Sequence, residues 1–119
     1  MKDFKQLRLW EKAHAFVLEL YKETKTFPRE ELYGLTSQIR RASVSIPSNI
    51  AEGCGRSGDA ELARFCQIAM GSASEVEYQL LLARDLGFIP ADKYEQLNAQ
   101  LVDVKRMLNS FIQNLKANR

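Results

Sequence analysis

The residues best suited to chemistry lie in the stretch QIRRASVSIPSNIAEGCGR, which spans residues 38–56. Arg40 and Arg41 are the only charged side chains in residues 33–50. A guanidinium group is planar and pairs with a phosphate through two parallel hydrogen bonds. Arg40 and Arg41 are therefore candidate phosphate contacts, with internal ion pairs or a subunit interface as the other interpretation.

Three glycines, Gly53, Gly55 and Gly58, follow the proline of this stretch. Glycines ahead of a helix can cradle an anion against its first N–H groups. The segment has no Walker lysine, however, and its glycine spacing fits no dinucleotide fingerprint. We prefer to interpret it as a flexible connection between two helices.

Paired carboxylates could serve acid–base chemistry or hold a metal, and Glu52, Glu75 and Glu77 are the candidates here. Carboxylate-bridged metal bundles combine them with Glu-x-x-His motifs, which are absent since the chain holds one histidine. We expect structural pairing of these acids, including with Arg40 or Arg41. The sequence thus predicts no catalytic residue, no metal site and no cofactor.

Charge and cysteine usage describe an ordinary chain of the cytoplasm. The net charge of +2 is too small to argue for nucleic-acid binding, although Lys105, Arg106, Lys116 and Arg119 follow the last acid. Cys54 and Cys66 lack the spacing of a zinc site, so free thiols are expected. No segment has the length and apolar character of a signal peptide or a membrane span, which predicts a cytoplasmic protein without membrane contact.

Apolar residues recur every three or four positions, which predicts an all-α fold. We expect four helices: 4–25, one that starts at 29–32, 58–86 capped by Ser57 or Gly58 and ended by Gly87, and one with Pro90 in its first turn. The fourth carries a seam with steps of three and four, namely Tyr94, Leu97, Leu101, Val104, Leu108, Phe111 and Leu115.

Short connections between long helices force antiparallel neighbours, so the prediction is an up-down-up-down four-helix bundle in a single domain, residues 1–119. The apolar stripe of the second helix, Leu32, Leu35, Ile39, Ala42, Ile46 and Ile50, stays in phase through Pro47. We therefore expect a continuous helix that is kinked at Pro47 and ends at a left-handed Gly53.

Excess apolar surface predicts a homo-oligomer. Leu9 and Phe16 form a second, thinner stripe on the first helix, outside its main one. The third helix is apolar or small on more than one face, and its run from Ala69 to Ser74 allows another helix to approach closely. A helix that is apolar around much of its circumference is buried around much of it.

The sequence resembles the four-helix-bundle family encoded in intervening sequences of bacterial 23S ribosomal RNA genes, and proteins similar to the accessory variability determinant of diversity-generating retroelements. The resemblance covers about residues 4–89. Its motifs are Leu7-x-x-Trp10, Phe27-Pro28, Glu31-Leu32-Tyr33-Gly34-Leu35, Gln38, Arg40-Arg41-Ala42, Ser45-Ile46, Asn49-Ile50-Ala51-Glu52-Gly53, Arg56, Phe65, Ile68-Ala69, Gly71-Ser72 and Glu75.

The resemblance implies a homopentamer without known enzymatic activity. In the retroelement relatives, a basic surface of the pentamer contacts nucleic acid and a reverse transcriptase. Arg40, Arg41 and Arg56 stand at family positions. Lys105 and Arg106 lie outside the family motifs and join them as candidate contacts through the basic C-terminal segment. The function expected from the sequence is an oligomeric accessory protein that binds RNA or DNA.

Two alternatives remain open. The first is a metal-independent ribonuclease similar to the HEPN group, since Arg8 and His14 match an Arg-x(4–6)-His motif in spacing. Six steps of about 100° place these side chains some 120° apart on a regular helix, which weakens this hypothesis. The second is a purely protein-binding adaptor, with Trp10 and Tyr33 as anchors if they do not lie in the core.

Overall fold

The computed structural model describes residues 2–117, and all of its regular structure is helical. The four helices are α1 (Arg8–Thr24), α2 (Leu35–Cys54), α3 (Asp59–Asp85) and α4 (Ala91–Ala117), and short 3-10 turns at Phe4–Gln6 and Arg29–Glu31 precede the first two. Each helix packs against the next, and α1 closes the ring against α4. With connections this short, neighbours run antiparallel, and the predicted four-helix bundle is confirmed.

Helix α3 and the start of α4 agree with the predicted boundary residues, whereas α1 begins at Arg8 and α2 at Leu35, later than the predicted starts at 4 and 29–32. Gly58 (φ 86°) precedes α3, and Gly87 (φ 78°) follows it, both in a backbone region that favours glycine. The N–H of Gly87 donates to the Arg84 carbonyl and the N–H of Phe88 to that of Ala83, which closes the C-terminus of α3. Pro90 lies immediately ahead of α4 and its carbonyl accepts the first bond of that helix.

Helix α2 continues through Pro47, as its apolar register predicts. Ile46 and Ile50, on either side of the proline, have no exposed surface. The Ser43 hydroxyl donates to the Arg40 carbonyl 2.8 Å away. The bend expected at Pro47 stays a prediction.

The expectation for Gly53 is wrong, because α2 runs on to Cys54 and Gly53 lies inside the helix with an ordinary φ. The N–H of Gly55 instead caps the helix by donating to the carbonyls of Ala51 and Glu52. A Cβ at position 53 would lie 2.9 Å from the Cβ of Phe65. Glycine stands there because α3 passes too close for any side chain.

The apolar core runs the full length of the bundle. In α4 every predicted seam residue is buried except Phe111, whose place Ile112 takes. At 100° per residue, Ile112 stands 40° from Leu108 around the helix, whereas Phe111 stands 60° away. A regular α-helix drifts from a strict seven-residue repeat, and the seam slips by one residue at its end.

The second stripe proposed for α1 is also wrong. Leu9 and Phe16 are 4% and 1% exposed and belong to the core of their own chain, whereas Leu7 and Trp10 are only half-buried. Helix α1 packs against both α2 and α4, so its buried arc is wider than one stripe. These two residues give no support to an oligomer. Leu32, at the start of the predicted α2 stripe, is half exposed.

Candidate functional site

The family motifs meet along a shallow surface between α2 and α3, which we call the α2–α3 groove. It is lined by Gln38, Arg41, Ala42, Ser45, Ser72 and Glu75 and encloses about 390 Å³. The hydroxyls of Ser45 and Ser72 lie 2.9 Å apart and join the two helices. Asn49 donates from Nδ2 to the Ser45 carbonyl and hydroxyl. Small residues on both helices let the backbones approach, and the hydroxyls satisfy each other in the narrow gap.

Arg41 stands exposed at this groove. It takes part in no hydrogen bond or ion pair with any residue from 2 to 117. Glu75, across the groove, accepts a bond from Gln79 at 3.2 Å instead. The planar donor fork of Arg41 is therefore available to a ligand, and the carboxylate and amide beside it can accept or donate in turn.

Arg40 turns the other way, toward α1. Its Nε donates to the Thr24 hydroxyl at 2.8 Å and its Nη2 to the Tyr21 carbonyl at 3.2 Å. Its guanidinium also lies over the Tyr21 ring, 4.6 Å from the centroid. The two adjacent arginines thus serve different seams of the bundle: Arg40 ties α2 to α1, and Arg41 edges the α2–α3 groove.

The three other predicted cations are paired with acids of the same chain. Arg56 binds Glu52 at 2.8 Å and lies over the Phe65 ring, and Lys105 binds Glu77 at 2.7 Å across α3 and α4. Arg106 pairs with Asp103 one turn before it. The acids Glu52 and Glu77 are therefore in structural pairs, as expected, but with Arg56 and Lys105 and not with Arg40 or Arg41.

The five candidate cations do not form one surface. Within residues 2–117, the backbones of α2 and α4 do not approach each other, and the two helices stand diagonally across the bundle. Lys105 and Arg106 on α4 are therefore separated from Arg40 and Arg41 on α2. Arg56 lies beyond the end of α2 at Cys54, and Cys54 is about 20 Å from Arg41 along the helix axis.

Sequence analysis missed Lys25, Arg29 and Thr36, which converge with Arg40 on a second concavity between α1 and α2. The signal was a pair of basic residues flanking the Phe27-Pro28 turn. Nothing in the spacing shows that the turn folds back over the first turns of α2, so the convergence is visible only in three dimensions.

At helical spacing Tyr33 was more readily interpreted as a core residue than as an anchor for a partner. The structure contradicts the core position. Its side chain is 92% exposed, and Leu32 beside it is 51% exposed. Trp10 is half-buried and packs edge-on against Phe4 with 4.9 Å between ring centroids. Of the two predicted anchors, Tyr33 and not Trp10 is therefore available to a partner.

The ribonuclease hypothesis gains no support from the geometry. Arg8 and His14 both belong to the regular helix α1, so their side chains diverge by about 120°. The His14 ring stacks on Trp10, with 4.9 Å between centroids and 7° between planes. Arg8 lies instead beside Arg106 in a different concavity, between α1 and α4.

Both cysteines are free and buried. Burial raises the pKa of the Cys66 thiol to about 12, and it also raises the pKa of Cys54. A thiol of this kind stays protonated at neutral pH and is a poor nucleophile. Among the described residues, no three His, Cys, Asp or Glu side chains are placed to hold a metal ion.

The architecture defines this chain as an antiparallel four-helix-bundle protein. The family model for the 23S rRNA-intervening sequence protein matches residues 5–110, and the chain belongs to that family. No curated protein matches it.

Among solved structures, the chain is similar to a protein of unknown function from the S23 ribosomal protein family of Bacteroides thetaiotaomicron. The TM-score is 0.81 at 24% identity, over 88% of this chain and 95% of the other. At that identity the likeness shows the shared fold. None of the helices in residues 2–117 is long and apolar enough to cross a membrane.

Proposed function

We propose that this chain is a non-enzymatic, homo-oligomeric accessory protein of the cytoplasm that binds RNA or DNA through the first half of α2. The observation that carries the proposal is the state of Arg41: exposed, beside family-motif residues, and without an acid partner in residues 2–117. Of the other candidate contacts, Arg56, Lys105 and Arg106 are neutralised by neighbouring acids. Among the five candidate cations, Arg40 and Arg41 are the two that form no ion pair within residues 2–117.

Oligomerisation would multiply this modest charge. One chain carries +2 in all, but symmetry repeats the Arg40–Arg41 pair on every subunit and concentrates positive potential on one assembly. Salt screens such a field beyond about 8 Å at physiological ionic strength, so only nearby copies would act together. Five subunits are the number that the family resemblance implies.

The outward face of α3 supports a second copy as the neighbour. Ile68 and Tyr78 are 42% and 61% exposed there, and Gly71 between them has open space where a Cβ would stand. A glycine in a helix interior costs about 0.5–1 kcal/mol relative to alanine. Nothing inside the chain explains that cost, whereas a closely packed helix of another subunit would.

The assembly is tested by light scattering at micromolar concentration. Wild type should have a multiple of the 13.6 kDa chain mass. Gly71→Leu should shift the mass toward one chain while circular dichroism stays helical. Gly55→Ala, a change at an exposed glycine outside this face, is the control. A wild-type mass of one chain would refute the oligomer.

Nucleic-acid binding is tested by titrating labelled single-stranded RNA and DNA. Affinity should fall steeply between about 50 and 200 mM salt, with a log–log slope of about −0.7 for each phosphate neutralised on a single strand. Arg41→Ala should weaken binding and reduce that slope. Arg106→Ala is the matched control, since Asp103 already pairs with it. Absence of binding at low salt, or equal losses in both variants, would contradict the proposal.

A protein partner such as a reverse transcriptase is the second candidate, and the exposure of Tyr33 favours it. Tyr33 and Leu32 form an exposed apolar spot on the connection between α1 and α2. If a partner docks there, Tyr33→Ser should abolish its capture and leave nucleic-acid affinity unchanged. Equal capture by the variant and by wild type would exclude this spot.

A further inference from the structure

The concavity between α1 and α2 has the character of an anion site, and we call it the α1–α2 cleft. It encloses about 400 Å³ between the end of α1, the turn that follows it and the first turns of α2. Its charged lining consists of Lys25, Arg29 and Arg40, and no aspartate or glutamate lines it. Glu31, the last acid before α2 begins, accepts a hydrogen bond from the N–H of Leu35 at 3.0 Å.

Arg40 is held ready at the cleft. Its bonds to Thr24 and to the Tyr21 carbonyl occupy Nε and one N–H of Nη2, so both N–H groups of Nη1 have no partner in the described chain. Because the side chain is already fixed, little conformational entropy is lost when those groups bind a ligand. Lys25 and Arg29 take part in no ion pair within residues 2–117.

Thr36 is an independent indication. It lines the cleft, is 5% exposed, and its hydroxyl has no hydrogen-bond partner within residues 2–117. Buried polar groups in native proteins are almost always satisfied, by protein, by water or by a ligand. Thr36 also belongs to the first turn of α2, where free backbone N–H groups carry the positive end of the helix dipole.

We propose that the α1–α2 cleft binds a phosphate monoester dianion. Three cations without an acid partner in residues 2–117 line this one cleft, and such a set matches a dianion better than a carboxylate or a halide. The cleft is larger than a phosphate group alone, and Phe27 and Leu32 give it an apolar wall for the organic part of the ester. The ester is a small phosphorylated molecule or the 5′-phosphate end of a nucleic-acid strand.

Inorganic phosphate is the first probe, titrated at constant ionic strength against 15N-labelled protein and followed by amide chemical shifts. The shifts should saturate and should concentrate in residues 24–40. Lys25→Ala/Arg29→Ala should weaken the affinity at least about tenfold, since each removes a charged donor. Both side chains are exposed and make no hydrogen bond or ion pair within the described residues, so this variant should keep its fold.

Arg8→Ala/Lys12→Ala is the matched control, because it removes the same two residue types from exposed positions on α1 that do not line the cleft. Its phosphate affinity should equal that of wild type. Unsaturable shifts in tens of millimolar phosphate would overturn the proposal. So would equal losses of affinity in the test and control variants.

The source of the phosphate is resolved with two RNA strands of one sequence, one ending in a 5′-phosphate and one in a 5′-hydroxyl. Tighter binding of the phosphorylated strand, lost in Lys25→Ala/Arg29→Ala, assigns the cleft to strand ends. Equal binding of the strands, with inorganic phosphate still saturating the cleft, assigns it to a small molecule. The phosphate titration stands without the proposed nucleic-acid surface, so either proposal can fail alone.

Discussion

The two sides of α3 are built in different ways. Toward α2 the two helices approach closely and the seam is partly polar: Gly53 admits α3 at backbone distance, and Ser45 and Ser72 join hydroxyls across the gap. Toward α4 the helices are farther apart, and large buried side chains of α4 such as Leu97, Leu101 and Leu108 fill the space. The difference teaches that one helix can be positioned by close fit on one side and by large apolar side chains on the other.

A change on the side of α3 that faces α4 should give the largest loss of stability. Leu101 is fully buried in the α4 seam, and Leu101→Ala removes its apolar surface and leaves a cavity. We expect a loss of about 2–5 kcal/mol in the free energy of unfolding. Urea denaturation followed by circular dichroism measures it. Val102→Ala, at the exposed neighbouring position, should change stability by less than about 0.5 kcal/mol.

On the side of α3 that faces α2, an added side chain should lower stability by overcrowding. Gly53→Ala places a Cβ 2.9 Å from Phe65 Cβ and 3.0 Å from a Leu62 methyl, so α2 and α3 must move apart. We expect a loss of about 1–3 kcal/mol, even though alanine favours a helix. In Gly55→Ala the nearest contact is 3.5 Å and no clash arises. If both alanines behave alike in denaturation, the close approach is not what fixes glycine at 53.

The packing around Cys66 should show in the pH dependence of stability. Its pKa, about 12 when folded, lies above that of an exposed thiol near 9, so the folded state binds this proton more tightly. The stabilisation is complete below pH 9 and is lost as the pH rises toward 12, by about 1.4 kcal/mol per unit. Cys66→Ala should flatten that decline. Identical pH profiles for both proteins would contradict this account.

The serine pair should give the smallest effect. Ser45→Ala and Ser72→Ala each remove one hydroxyl of a half-buried bond. The coupling energy from a double-mutant cycle should be about 0.5–1.5 kcal/mol. Asn49 also donates to the Ser45 hydroxyl, so Ser45→Ala should cost more than Ser72→Ala. A coupling energy of zero would make the bond incidental to how the helices are positioned.

Apolar spacing was enough to predict four helices and most of their core, because burial repeats with the turn of the helix. The prediction from apolar spacing failed where a residue is buried by contact with another helix. Leu9 and Phe16 were assigned to an outer stripe, although α1 faces both α2 and α4 and buries a wider arc. Gly53 was assigned to a helix end, since its close contact with Phe65 comes from another helix and leaves no trace in the local pattern.

The candidate sites were harder to predict for the same reason. The residue types identified Arg40 and Arg41, but the partners of Arg40 lie 16 and 19 positions away, and the groove beside Arg41 is completed by another helix. Lys25, Arg29 and Thr36 could be recognised as part of a candidate site only in the structure, where the turn brings them beside Arg40. The acid partners of Lys105 and Arg106 likewise depend on the facing helix and on side-chain geometry.

The connection between α2 and α3 has a practical consequence. Residues 55–58 are all exposed, and Gly58 has nothing within 4 Å of the place where a Cβ would stand. Exposed loops of small residues are where proteases cut folded chains. A nick there would divide the protein into two helical hairpins held together by the α2–α3 contact, and the separately expressed hairpins are a natural starting point for a split reporter.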